Sequence, residues 1–107
     1  VLAKANRVIR PEEFRAVVRR GRRRAAPEAV YYRLVREGEP VRFGFIVSRA
    51  VGGAVQRNRL RRRMRAVGRE LVDAGRSGED VVVRALPGSA ELSWSELSGR
   101  MRAELAR

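Results

Sequence analysis

The chain has 107 residues, 44% of them hydrophobic, with 25 Lys+Arg against 12 Asp+Glu and no His, a formal charge of +13. That length predicts a single domain over residues 1–107, and that hydrophobic share excludes wholesale disorder. The charge favours a polyanionic partner, nucleic acid before an anionic membrane; a merely soluble, highly charged surface is the weaker reading.

Lys4 is the one lysine, and every other basic residue is arginine. Together with abundant Ala, Gly and Val, this resembles the codon bias of a GC-rich genome. Such a bias explains why Arg replaces Lys, but not why the arginines cluster. The planar guanidinium grips phosphate bidentately and stacks on bases. The absence of cysteine excludes disulfides and thiolate metal sites. No apolar run approaches the ~18 residues of a membrane span, and Val1-Leu2-Ala3-Lys4 lacks the apolar stretch of a secretory signal. No membrane association and a cytoplasmic location are therefore expected.

In chain order, Arg10-Pro11-Glu12-Glu13 predicts a helix start, with proline early and acids in the first turn. Phe14, Val17 and Val18 supply its apolar side, and Gly21 ends it. Arg22 to Ala26 fits a short edge strand. Ala29 to Arg36 alternates as a strand, with Val30, Tyr32 and Leu34 on one face and Tyr31, Arg33 and Val35 on the other. Glu37-Gly38-Glu39-Pro40 predicts a turn. Val41 to Ser48 is a second strand, with Val41, Phe43, Phe45 and Val47 on one face. An antiparallel hairpin of these two strands is expected. Ala50 to Gln56 reads as a loop around Gly52-Gly53, and Arg57 to Ala74 as a helix stopped by Gly75. Leu60, Met64, Val67 and Leu71 form its apolar stripe; Asn58, Arg62, Arg65 and Arg69 lie opposite, flanked by Arg61. Asp80 to Leu86 is a Val-rich strand. Ser93-Trp94-Ser95-Glu96 has capping-box spacing, opening a last helix with Trp94, Leu97, Met101 and Leu105 on one side. The order predicts an α+β sandwich with helices on a small sheet.

Protein-borne catalysis finds no support. His and Cys, the usual general base and thiol nucleophile, are missing. Glu12-Glu13 is better read as complementing a helix dipole than as a metal or acid–base pair. Gly52-Gly53 lacks the spacing of a P-loop or dinucleotide fingerprint.

The segment Arg57-Asn58-Arg59-Leu60-Arg61-Arg62-Arg63-Met64-Arg65 is the strongest signal. Six of its nine residues are arginine and none is acidic. A solvated helix face usually mixes signs, so this crowding points to a polyanion. Helical spacing turns Arg62, Arg65 and Arg69 outward as a ladder for phosphates. Asn58 can add a hydrogen bond, and Gly52-Gly53 with the helix N-terminus can add backbone N–H groups. A second basic zone runs through Lys4, Arg7, Arg10, Arg15, Arg19, Arg20 and Arg22-Arg23-Arg24. Phe14, Tyr32 and Phe43 suit a core, but Tyr32 could also line a groove where bases stack.

The stretch Ser48-Arg49-Ala50-Val51-Gly52-Gly53-Ala54-Val55-Gln56-Arg57-Asn58-Arg59-Leu60-Arg61-Arg62 resembles the signature of the bacterial ribonuclease P protein component. Leu2, Asn6-Arg7, Phe14, Val18, Gly21 and the strand from Asp80 to Ala85 extend the resemblance to nearly the whole chain. It implies an α-β-β-β-α-β-α sandwich, with a small mixed sheet and a left-handed βαβ crossover, of the kind found in a domain of a small-subunit ribosomal protein. It further implies a protein subunit of a ribonucleoprotein endonuclease. One such protein would bind one ribonuclease P RNA, and that RNA, with Mg2+ bound mainly by the RNA, would remove the 5′ leader of precursor tRNA. Arg49, Arg57, Asn58, Arg59, Arg61, Arg62, Arg65 and Arg69 would face the catalytic RNA and the cleavage region. Phe14, Val18 and Tyr32 would line a leader cleft, no protein residue would be catalytic, and none would hold a metal. Val18 and Ala29 stand where relatives carry aromatics, and Ala50 where many carry a basic residue. Two other readings use the same arginines: a ribosomal or assembly protein without a leader cleft, and a DNA-binding regulator. For the regulator, the sequence offers neither a paired-helix motif nor dimerising heptads.

Overall fold

The computed structural model describes residues 2–106; Val1 and Arg107 lie outside the described residues. Three helices, α1 (Pro11–Arg20), α2 (Ala54–Asp73) and α3 (Trp94–Leu105), pack on a sheet of β1 (Arg22–Ala25), β2 (Ala29–Pro40), β3 (Arg42–Ile46) and β4 (Ser77–Ala85). The element order is the expected α-β-β-β-α-β-α, and the sheet is mixed.

The expected β2–β3 hairpin does not form. The strand order is β1-β2-β4-β3, with β4 antiparallel to β2 and parallel to β3. Glu37–Pro40 belongs to β2 rather than to a tight turn, and the β2–β4 register shifts between Val35 and Pro40. The Val-rich β4 takes the central place because Val81, Val82 and Val83 are all fully buried. Only a strand covered on both faces can bury such a continuous apolar run. β3, α2 and β4 therefore form a parallel βαβ crossover.

Side-chain alternation sorts the core into two layers. Tyr31, Phe43, Val81 and Val83 pack under α2 and α3, against Leu60, Met64, Val67, Leu97, Met101 and Leu105. Val30, Tyr32 and Val82 pack under α1, against Val17 and Phe14. Ser93 caps α3 as its spacing predicts: its Oγ accepts from Glu96 N–H at 3.1 Å. Trp94, expected on the buried stripe of α3, is instead 37% exposed. It occupies the first helical position, ahead of the turns that reach the sheet. The predicted loop before α2 is shorter than expected, because the helix begins at Ala54 and Arg49–Val51 forms a 3-10 turn.

Two glycines are set by close approach. A methyl group at Gly21 would lie 2.5 Å from the Val17 carbonyl oxygen and 3.0 Å from that of Arg33. At Gly44 it would lie 2.5 Å from Phe14 Cε1. Gly44→Ala should therefore push the Phe14 ring off the sheet, at a cost of about 1–3 kcal/mol. Chemical denaturation checks this, and an unchanged midpoint would contradict the packing described.

The start of α1 is tied to the sheet by an ionic cluster. Glu13 accepts hydrogen bonds from Arg10 N–H and Ile9 N–H, and Arg42 donates to Glu13 at 2.7 Å. Arg42 also grips Asp80 with two bonds, at 2.9 and 2.7 Å. The Arg10 amide, with further help from Ile9 and Arg42 and against some desolvation, holds the Glu13 carboxyl down at about 2. A lowered folded-state pKa stabilises the fold above the unfolded value of 4.5 and loses that contribution as pH falls towards 2. Glu13→Gln should thus cost about 1–2 kcal/mol at neutral pH, a range discounted for partial solvent access. The gap to the parent protein should close between pH 4.5 and 2. Urea melts across that range provide the measurement.

Candidate nucleic-acid interface

The arginine segment lies on α2, whose start is built by the two glycines before it. Gly53 is the N-cap, and its N–H donates to the Gln56 side chain at 3.0 Å. A methyl group at Gly52 would clash with that same Gln56 Oε1, so glycine keeps the capping contact open. Leu60, Met64 and Val67 are buried as the wheel predicts, and Gly68 joins them where the helix runs closest to Phe43 and Leu2. Leu71 is only partly buried at the edge of the stripe.

This anchoring divides the arginines into three sets. Asn58, Arg59, Arg62 and Arg65 are exposed, as is Arg49 on the preceding 3-10 turn. Arg57, Arg61 and Arg63 are half-buried on the flanks. Arg61 donates to Asn58 Oδ1 at 3.0 Å and to the Val47 carbonyl at 3.3 Å, which fixes its guanidinium beside the exposed set. Arg63 turns away and donates to the Leu92 carbonyl. Arg57, expected on the binding face, sits next to the apolar stripe with its Nε buried and without a hydrogen-bond partner. The third set is Arg69 alone, which pairs with Asp73 one turn on. Val55, Asn58, Arg61, Arg62 and Arg65 together line a shallow depression on this face.

The acids are placed elsewhere. Glu13 and Asp80 hold Arg42, Glu79 holds Arg33 and Arg76, Glu70 holds Arg102, and Glu104 holds Arg24. No acidic residue occurs in the sequence between Glu39 and Glu70. Among the described residues, exposed arginines without an ion pair therefore gather on the first half of α2, and a second group lies on α1 and β1 at Arg15, Arg19, Arg20, Arg22 and Arg23; such a field attracts polyanions over several ångströms.

Of the three expected cleft residues, Phe14 and Tyr32 meet in the α1-side core and Val18 stays outside it. Phe14 packs over Gly44, Val18 is 38% exposed beside it, and Tyr32 lies on the sheet below α1. Tyr32 is only 3% exposed, however, so its ring is a floor and not a stacking platform. The residue above it went unremarked in the sequence. Arg84 donates to the Tyr32 hydroxyl at 3.1 Å, with its guanidinium carbon 5.9 Å from the ring centroid. Its signal was a charge between the run Val81-Val82-Val83 and Ala85-Leu86, inside an otherwise apolar strand. Among the described residues there is no group of three or more His, Cys, Asp or Glu side chains that could hold a metal ion. Nor is any helix among them long and apolar enough to cross a membrane.

Fold and charge together define a small α+β sandwich with exposed arginines, unpaired with acids among the described residues, on the first half of α2. Comparison with known proteins makes the class specific. The family model described as Ribonuclease P matches residues 2–107, and the chain belongs to that family. The ribonuclease P protein component of Beutenbergia cavernae is 49% identical over 98 residues, covering 91% of this chain and 82% of its own length. That of Clavibacter michiganensis subsp. michiganensis is 41% identical over 108 residues, covering 100% and 96%. The structure of the Staphylococcus aureus RNase P protein superposes with a TM-score of 0.86 at 23% identity, over 96% of this chain and 94% of that one. The Thermotoga maritima protein gives 0.82 at 21%, over 92% and 94%. At such low identity these two likenesses show a shared fold.

Proposed function

We propose that this protein is the subunit of ribonuclease P that binds the catalytic RNA and the 5′ leader of precursor tRNA, assisting removal of the leader. The observation that carries the reading is the α2 face. Among the described residues Arg49, Arg59, Arg62 and Arg65 are exposed there with no ion-pair partner, while Glu13, Glu70 and Glu79 are held by arginines elsewhere. Arg61 and Asn58 add an oriented donor and an amide. These groups neutralise phosphates of the catalytic RNA, and the counterions so released supply much of the affinity. Arg57 and Arg69 contribute less than the motif suggests, one being partly buried and the other ion-paired.

The groove between α1 and the sheet takes the leader. The protein supplies no general base or nucleophile; it acts by charge and by positioning the substrate. The magnesium that the reaction uses is assigned to the RNA, because the carboxylates of the protein are scattered or committed to arginines. One protein per RNA, working in the cytoplasm, completes the proposal.

Reconstitution tests it. The protein alone should leave precursor tRNA intact. With a bacterial ribonuclease P RNA it should raise cleavage at low magnesium and bind precursor tRNA more tightly than mature tRNA. Cleavage by the protein alone, or no stimulation of the RNA, would refute the reading.

A further inference from the structure

One row of the sheet beside α1 carries an exposed arginine. Ile46, Arg84, Val30 and Ala25 are register partners across β3, β4, β2 and β1. Val30 and Ile46 belong to the α1-side core, which places Arg84 on that same face. α1 sits on the next row, with Phe14 over Gly44 and Val17 against Val82 and Tyr32. The groove floor thus has an exposed arginine at its centre. Tyr32 anchors that arginine through its hydroxyl and its ring. Arg23, exposed on β1, stands opposite Tyr32 in register, at the sheet-edge end of the adjacent row. Among the described residues no carboxylate pairs with either Arg84 or Arg23.

We propose that Arg84, held in place by Tyr32, is the phosphate contact that binds the 5′ leader in this groove, and that leader binding here is consequently blind to base identity. The inference rests on the reading that the leader lies between α1 and the sheet. Three observations carry it further than charge alone. The aromatic ring that could have stacked on a base is buried, so stacking on Tyr32 is unavailable. The guanidinium spends one donor on the tyrosine hydroxyl and keeps others for an anion. Its tether restricts the side chain before the leader arrives, which reduces the ordering cost of binding. Contacts to phosphate position a strand without reading its sequence. Tyr32 acts through Arg84 and is a positioning residue.

The test uses the reconstituted holoenzyme and compares affinity for precursor tRNA with affinity for mature tRNA. Arg84→Met should reduce the preference for precursor by about fivefold to tenfold, as expected for a lost charge-assisted contact. It should also lower the salt slope by about 0.7, the value for one phosphate of a single strand. Because Arg84 also donates to the hydroxyl of buried Tyr32, Arg84→Met should lower the unfolding midpoint slightly, and affinities are compared at a temperature where both holoenzymes stay folded. Tyr32→Phe keeps the ring and deletes the hydroxyl, and should reduce the preference by about twofold to threefold. Arg84→Lys should retain the salt slope while losing part of the preference. In the parent enzyme, leaders of equal length and different base composition should bind alike.

An unchanged preference in Arg84→Met would overturn the role of Arg84, as would an equal loss for both tRNAs. A preference that varies with leader bases would overturn the base-blind part. If the parent holoenzyme shows no preference for precursor at all, the broader reading of the groove fails and this inference fails with it. A preference present in the parent and untouched by Arg84→Met removes this inference alone.

Discussion

Replacing Arg62 and Arg65 together with alanine is expected to weaken binding to ribonuclease P RNA by about a hundredfold near physiological salt. The salt dependence of binding should flatten by about two units, roughly one per lost phosphate contact. Both side chains are exposed, neither has a carboxylate partner among the described residues, and both line the same depression as Asn58 and Arg61. Their removal should leave the unfolding midpoint unchanged or slightly raise it, since it relieves repulsion along the helix. Filter binding across a salt series, with a thermal melt of the same preparation, gives both readings. A double variant that unfolds while its salt slope is preserved would reverse the assignment of the two sides of α2. Substituting Arg69 should matter less, because that side chain is already paired with Asp73.

The second large effect is on stability. Leu60→Ala should cost about 2–5 kcal/mol, the range for emptying a well-packed leucine site. Leu60 is 2% exposed at the first turns of α2, beside Met64 and Val67. A domain of this size has about 5–15 kcal/mol in all, so the variant should sit close to its unfolding threshold. RNA affinity per folded molecule should hardly change. Denaturant melts separate the two quantities, and a loss below about 1 kcal/mol would show that α2 packs less tightly than described.

These two predictions draw on the part of the molecule that was readable in advance. A helix with one anchored face fixes its opposite face by geometry, so Leu60, Met64 and Val67 locate Arg62 and Arg65. The capping of α3 by Ser93 was equally local. What stayed hidden depended on partners distant in sequence. β2 and β3 adjoin in the chain, with Gly38 and Pro40 near the connection, and that pattern suits a hairpin. Nothing within either strand says that β4 will come between them. The buried state of Tyr32 was hidden for a related reason. Alternation tells which residues share a face, but when helices cover both faces it no longer tells which residues meet water. Arg57 shows what the helical wheel adds to a motif, because its place beside the apolar stripe leaves its Nε buried.

The position of β4 also governs how the chain can become folded. β3 has no strand neighbour until β4 has been made, and Phe43 must wait for Val81. The intervening segment holds α2, whose like charges oppose compaction while the sheet closes around it. Non-local closure of this sort slows folding. A polyanion that binds only the finished face removes that repulsion and draws the equilibrium towards the native state by mass action. On the proposed function, the arginine helix would tie the supply of folded protein to the supply of its RNA partner, and unassembled chains would be the ones left exposed to proteolysis.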